Sequence, residues 1–357
     1  MSDKRSILRS LPAFAGLSDQ DCDVVLSVVK ARRGAPNDVL FREGDRASSM
    51  LVVLDGALTV KVGDAEVARL GPGEVVGEIA LFDLEASGLR TATVIARVAT
   101  TVLDFTREAV ALLRKDAPFA AAALHRAVLA DVTRRLRVVN DRSDRILDGG
   151  ARARGLPSLT PPTTRAKGPQ LTPEKLRALW ALREYGDADL ELLSRATALR
   201  TFAVQEILFE EGSRGEACYL LLDGEVEVVR AHQGKVRTLG TLRMGALVGQ
   251  LAMVDRSPHS ATVVAVTPVH ALELGRDVFD RLMQACTPLA QRFQEHVAVA
   301  GIRQLRSATA RLVALMAQRS EADAYLHGAS ADDDWETEVD GGVVLELAVD
   351  PASLRRR

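Results

Sequence analysis

The sequence is short of the residues that would announce covalent or metal chemistry. Its three cysteines, Cys22, Cys218 and Cys286, stand far apart in 357 residues, so no disulfide framework and no zinc or iron–sulfur spacing can be built from them. A reducing, cytoplasmic setting is the expectation. The six histidines fall into no nucleophile–base or metal-binding pattern, which leaves an enzymatic reading without residues to carry it. Neither a cofactor nor a metal is expected. No window approaches the roughly 18 uninterrupted apolar residues of a membrane span. The N-terminal stretch, with Arg9, Pro12, Asp19 and Asp21, makes a poor signal peptide. A formal net charge of -2 gives no general attraction to anionic lipid or nucleic acid.

What is present is an ordinary globular composition, 47% hydrophobic and 26% charged, in a chain long enough for two domains at roughly 100–200 residues each. An internal repeat fixes that number independently. At an offset of 168, Leu8-Arg9-Ser10-Leu11 returns as Leu176-Arg177-Ala178-Leu179. Leu40-Phe41-Arg42-Glu43-Gly44 returns as Leu208-Phe209-Glu210-Glu211-Gly212, and Leu54-Asp55-Gly56 as Leu222-Asp223-Gly224, all without a gap.

Each copy opens on a helical pattern, behind Ser18 and Asp19 in the first and behind Asp187 in the second. Strands follow, at 50–54 and 57–62 and again at 219–222 and 225–229, flanking Asp55-Gly56 and Asp223-Gly224, dipeptides that predict tight hairpins. Many short strands with glycine-rich turns point to a small barrel or roll in an α+β chain. Each roll closes on helices, the first with a long one from Pro118 to about Asn140, the second with one beginning after Pro288. The expected domains are 1–140 and 174–318, joined by a flexible, proline-rich basic linker at 141–173 and followed by an acidic tail at 319–357. In the last helix Phe293, Val297, Leu305, Ala308, Leu312 and Leu315 form an apolar stripe, interrupted by Gly301, that suits either a coiled-coil homodimer or packing on the chain's own roll.

The informative segment is Gly73-Glu74-Val75-Val76-Gly77-Glu78-Ile79-Ala80-Leu81, followed by Arg90-Thr91-Ala92. It resembles the phosphate-binding cassette of cyclic-nucleotide-binding domains, the family of bacterial catabolite activators, protein kinase A regulatory subunits and cyclic-nucleotide-gated channels. The resemblance spans roughly Leu8–Val139 and Leu176–Leu315. It implies two tandem β-rolls of the double-stranded β-helix, or jelly-roll, type, each with flanking helices. It also implies a cyclic AMP or cyclic GMP ligand on Gly77, Glu78, Ile79, Ala80, Leu81, Arg90, Thr91 and Ala92.

The residue types suit that chemistry. An arginine offers two parallel donors to a phosphodiester, Glu78 accepts from the ribose 2′-hydroxyl, and Gly77 lets the backbone come close. Thr91 is the residue type that family members favouring cyclic GMP carry there. The pattern departs from the family's at Leu89, where proline is usual, and in the twelve residues from Glu78 to Arg90 against nine from Gln250 to His259. A structural Glu78–Arg90 ion pair inside an unliganded roll is the competing reading.

The second copy keeps the frame as Gly249-Gln250-Leu251-Ala252 and then His259-Ser260, but both charges are gone. A weaker site, in a roll that is structural or dimerising, is expected there. The functional expectation is a non-enzymatic regulatory sensor with a protein effector. The alternatives are a transcription regulator of catabolite-activator type without a recognisable DNA-binding domain, a kinase-regulatory subunit, and an interaction protein with unliganded rolls.

Overall fold

The computed structural model describes residues 2–82, 88–147, 172–177, 186–232 and 235–328. Most of the expected linker and most of the expected acidic tail lie outside them. The chain forms two units, Met1–Met316 and Ala317–Arg357, and both rolls with their helices up to Met316 belong to the first.

Helices α1 (Ser2–Arg9) and α2 (Asp19–Val28) lead into the first roll. Ser18 starts α2 as expected, its hydroxyl accepting from the Asp21 amide at 3.1 Å and so satisfying one of the first-turn donors. The strands are β1 (Lys30–Gly34), β2 (Val39–Phe41), β3 (Ser49–Asp55), β4 (Leu58–Val62), β5 (Ala65–Leu70) and β6 (Val75–Val76). The short helix α3 (Ile79–Phe82) precedes β7 (Thr93–Ala96) and β8 (Thr100–Thr106), and α4 (Arg107–Asp116) and α5 (Pro118–Leu147) close the roll. After α6 (Pro173–Arg177) and α7 (Asp187–Ala196) come β9 (Thr197–Phe202), β10 (Ile207–Phe209), β11 (Ala217–Asp223), β12 (Glu225–His232), β13 (Lys235–Arg243) and β14 (Leu247–Val248). The chain then runs through α8 (Gln250–Asp255), β15 (Thr262–Ala265), β16 (Val269–Gly275), α9 (Arg276–Gln284) and α10 (Pro288–Gly328).

Strand order repeats as faithfully as sequence. The first roll pairs its strands as β1-β8-β3-β6 and β2-β7-β4-β5, and the second as β9-β16-β11-β14 and β10-β15-β12-β13, all antiparallel. Adding eight to each strand number turns one order into the other. This is the predicted pair of jelly rolls in an α+β chain. Alternate residues face inward, so Leu51, Val53, Leu58, Val60, Val94 and Val102 fill one barrel and Tyr219, Leu221, Val226, Val263 and Ala271 the other.

One expectation fails in both copies. Asp55-Gly56 is not a hairpin, because β3 and β4 lie in different sheets. The dipeptide is a corner at which the chain crosses from one sheet to the other. Gly56 has φ +92°, and a Cβ there would meet the Ala99 carbonyl at 2.5 Å, so only glycine fits. Gly224, φ +86°, makes the equivalent corner. The two-residue hairpin of the first roll is Gly63-Asp64, between Val62 and Ala65.

The closing helices do more than end their rolls. α5 continues past Asn140 to Leu147, because its charged end finds partners on the second roll. Asp141 lies 2.8 Å and Asp144 3.1 Å from the Arg230 guanidinium. The apolar stripe of α10 is covered within the chain: Leu305, Ala308 and Leu312, with Ile302, share one core with Val128, Val132 and Leu136 of α5 and Leu8, Phe14 and Phe105 of the first roll. That is the second of the two roles open to the stripe, so the homodimer loses the surface it was argued from. Gly301 does not interrupt the packing. It permits it, since a Cβ there would stand 3.2 Å from Val132 Cγ1.

His125 sits inside this packing, 1% exposed, its ring 5.5 Å from that of Phe82. Burial, helped by the charge of Arg114, pushes it down to about 4, while the unfolded chain keeps the ordinary value near 6.5. The unfolded state therefore takes up protons first as pH falls, and stability present above pH 6.5 is lost toward pH 4. His125→Leu should remove about 2 kcal/mol of the difference between urea stabilities at pH 7 and pH 4.5. An unchanged pH dependence in that variant would show that other groups set the acid limit.

Candidate functional site

In the first roll the cassette runs from the end of β6 through α3, and its two charged residues come from opposite sides of it. Gly77 has φ +84° and its open side faces Arg90. Arg90, 7% exposed, donates from Nη1 to the Ser49 carbonyl at 2.5 Å and to the Gly77 carbonyl at 3.4 Å. Its guanidinium carbon stands 4.0 Å over the centre of the Phe41 ring, a cation–π seat that fixes the fork's plane. The loop around it is tied by Gly44 N to Arg90 O at 2.9 Å and Arg90 N to Asp45 O at 2.8 Å. A Cβ at position 77 would collide with Arg90 Nη1, and the φ of +84° would strain any other residue there, so glycine both permits the turn and leaves the guanidinium its place.

Glu78 is 1% exposed, and it does not pair with Arg90. Its Oε1 accepts from Arg135 of α5, whose Nε lies 2.9 Å from Asp131 Oδ2. Burial pushes the Glu78 carboxyl up, against the pull of Arg135, and burial likewise pulls the Arg90 guanidinium down. Among the described residues no carboxylate lies within 4 Å of the Arg90 guanidinium. Of the buried side-chain atoms without a hydrogen-bond partner, two belong to the predicted residues of the first cassette, Arg90 Nε and Glu78 Oε2, one a donor and the other an acceptor. Such atoms cost folding free energy unless something completes them.

The other predicted residues support this frame. Ile79 packs on the neighbouring core and Ala80 lies in α3 beside it. Leu81 is buried, and its carbonyl accepts from Arg107 at 3.1 Å. Ala92 packs on the barrel interior, and Thr91 is half-buried beside it. The motif alone did not reveal Phe41, Arg107 or Arg135. Phe41 had a signal, since it belongs to the ungapped repeat and returns as Phe209.

The second cassette has the same skeleton with neutral chemistry. Gly249 has φ +83°, and Gly212 N to His259 O at 2.8 Å and His259 N to Ser213 O at 2.9 Å copy the loop ties of Arg90. His259 stacks on Phe209 at 3.9 Å, where Arg90 lies over Phe41. Gln250, 1% exposed, donates to Gln304 of α10 at 3.0 Å. Leu251 packs toward the first roll's core, Ala252 is buried, and Ser260 is half-buried behind His259. A cavity of about 1130 Å³ opens between this cassette and α10.

The profile of the cyclic nucleotide-binding domain matches residues 31–116 and 199–286, the two segments that hold the strands and cassettes just described. Both rolls are cyclic nucleotide-binding domains. The cAMP-dependent protein kinase regulatory subunit of Yarrowia lipolytica is 24% identical over 270 residues, 76% of this chain and 58% of that protein. The corresponding subunit of Aspergillus fumigatus is 40% identical over 86 residues, 24% of this chain and 20% of its own length. The cGMP-dependent protein kinase of Eimeria tenella is 22% identical over 269 residues, 75% of this chain and 22% of the kinase. The chain thus spans less than two thirds of these curated relatives. The solved regulatory domain of Toxoplasma gondii PKA with cAMP matches at 19% identity and a TM-score of 0.29, covering 80% of this chain and 92% of that one. Among the described residues of these domains, no helix is long and apolar enough to cross a membrane and no group of three or more His, Cys, Asp or Glu could hold a metal ion.

Proposed function

We propose that the chain is a regulatory sensor whose first domain takes a cyclic nucleotide, cyclic AMP or cyclic GMP, on Gly77, Glu78 and Arg90. The observation that carries this is the pair of uncompleted buried atoms. A cyclic phosphodiester is an acceptor for Arg90 Nε, and a ribose 2′-hydroxyl is a donor for Glu78 Oε2. The competing structural ion pair finds no support, since Glu78 and Arg90 engage different partners.

The curated relatives favour a kinase catalytic subunit as the protein partner over the transcription-regulator alternative. They also include a cGMP-dependent protein kinase, of which this chain covers 22%. The second domain serves as a packing partner, with α10 closing the core of the first.

Calorimetric titration of the full chain with cyclic AMP and cyclic GMP tests the reading, with Glu78→Gln as the comparison. Loss of one charge-assisted hydrogen bond, about 1.5–3 kcal/mol, should weaken binding roughly ten- to a hundredfold. Absence of heat and of any melting shift with both nucleotides at millimolar concentration would sink the proposal.

A further inference from the structure

The second domain lost the cation of its cassette, but α10 brings another one into the same cavity. On that helix Gln304, Ser307 and Arg311 are spaced to share a face, and all three line the cavity. Gln304 grips Gln250 at the cassette end and also donates to the Leu247 carbonyl at 3.3 Å. Arg311 lies seven residues further on, about 10 Å along the axis at 1.5 Å per residue.

Arg311 is partly buried. Its guanidinium donates to Ser307 Oγ at 3.0 Å, and among the described residues no carboxylate lies within 4 Å of it. Burial holds it below the usual arginine range, with no opposing carboxylate. A desolvated guanidinium facing a cavity without a counter-ion is a seat for an anion. Arg243, Arg292 and Arg303 also line the cavity, and each of them already has a partner. At the cassette end stand the Gln250 amide and the His259 ring, nearly parallel to Phe209 at 18°, a flat wall on which a planar ring can lie.

We propose that the second domain binds an elongated organic anion of the nucleoside 5′-monophosphate class, with the phosphate on Arg311 and the neutral ring against Gln250 and His259. The ligand runs in the sense opposite to that of the first domain, where the phosphate sits inside the cassette. A cavity of about 1130 Å³ slightly exceeds the ~300–1,000 Å³ usual for small-molecule sites and gives room for a ligand of this length. Arg311 stands about two helical turns beyond Gln304, a placement that suits an open monophosphate better than a cyclic one, in which the phosphate is folded back on the ribose.

The test is calorimetric titration of the full chain with 5′-AMP, 5′-GMP and adenosine, repeated for Arg90→Ala and Arg311→Gln. At least one monophosphate should bind, and its binding should survive Arg90→Ala and weaken tenfold or more in Arg311→Gln. Adenosine should bind at least tenfold more weakly than 5′-AMP if 5′-AMP is the monophosphate bound. An unchanged melting temperature would show that Arg311→Gln is folded. Equal binding of adenosine and 5′-AMP, loss of the monophosphate signal in Arg90→Ala, wild-type affinity in Arg311→Gln, or no heat from either monophosphate would each overturn the assignment. None of these outcomes touches the cyclic-nucleotide titration of the first domain, which depends on Arg90.

Discussion

Replacing Arg90 with alanine should lower cyclic-nucleotide affinity by about a hundredfold or more and leave the melting temperature of the unliganded protein no lower. The first effect follows from two charge-assisted hydrogen bonds to the phosphodiester at about 1.5–3 kcal/mol each, with every 1.4 kcal/mol worth about tenfold. The second is the more discriminating. Arg90 is 7% exposed and is held by two backbone carbonyls and the face of Phe41, with the charges of Asp104, Asp45 and Glu78 acting on it from beyond ion-pair distance. A buried cation in that position has given up water without gaining a counter-ion, so its removal relieves a cost that only ligand would offset. Arg90→Lys keeps the charge but loses the planar fork, and should fall between wild type and alanine. A fall in melting temperature with unchanged binding would make Arg90 a structural residue.

Arg135→Ala should produce the largest loss of stability, about 3–5 kcal/mol, because it leaves the buried Glu78 carboxylate without its cation and Asp131 with Arg134 alone. Glu78 and Asp131 both face the Arg135 guanidinium, and their side chains are 1% and 4% exposed. Adding Glu78→Gln and Asp131→Asn to Arg135→Ala should recover most of that loss, since amides do not need the charge. Urea unfolding of the single and triple variants decides the matter. A triple variant as unstable as the single one would place the effect in lost packing.

The repeat was legible because the jelly roll repeats its corners as well as its core. Leu-Phe-x-Glu-Gly and Leu-Asp-Gly recur without a gap, and strand order recurs with them. The reading of Asp55-Gly56 as a hairpin failed for a local reason. A dipeptide that permits φ > 0 shows that the chain turns, and does not show whether the strands on either side pair. The end of α5 was placed too early because Asp141-Arg142-Ser143-Asp144 looks like loop composition. Those residues are helical because Arg230 and Arg237 stand opposite them, far away in sequence.

The candidate site divides in the same way. Gly77, Glu78 and Arg90 could be found from their order along the chain, since one loop builds them. Arg135 could not, as it reaches Glu78 from a helix 57 residues downstream and reads along the sequence as one more charge on a solvated face. Arg311 was hidden for a similar reason. Nothing in a helical sequence tells which of its arginines will face a cavity.

Helix α5 is held by both domains through residues two positions apart, Arg135 on Glu78 and Arg137 on Asp255 at 2.6 Å. Two residues of a helix are separated by about 200° around its axis, so these grips lie on opposite sides. The consequence is evolutionary. The second domain supplies Ile302, Leu305, Ala308 and Leu312 to a core shared with the first, and selection on the first sensor therefore acts on the second as well. Substitutions in its cassette would leave that shared core intact, while substitutions on the inner faces of its helices would not. A descendant that deleted the second domain would inherit a first domain with its core laid open.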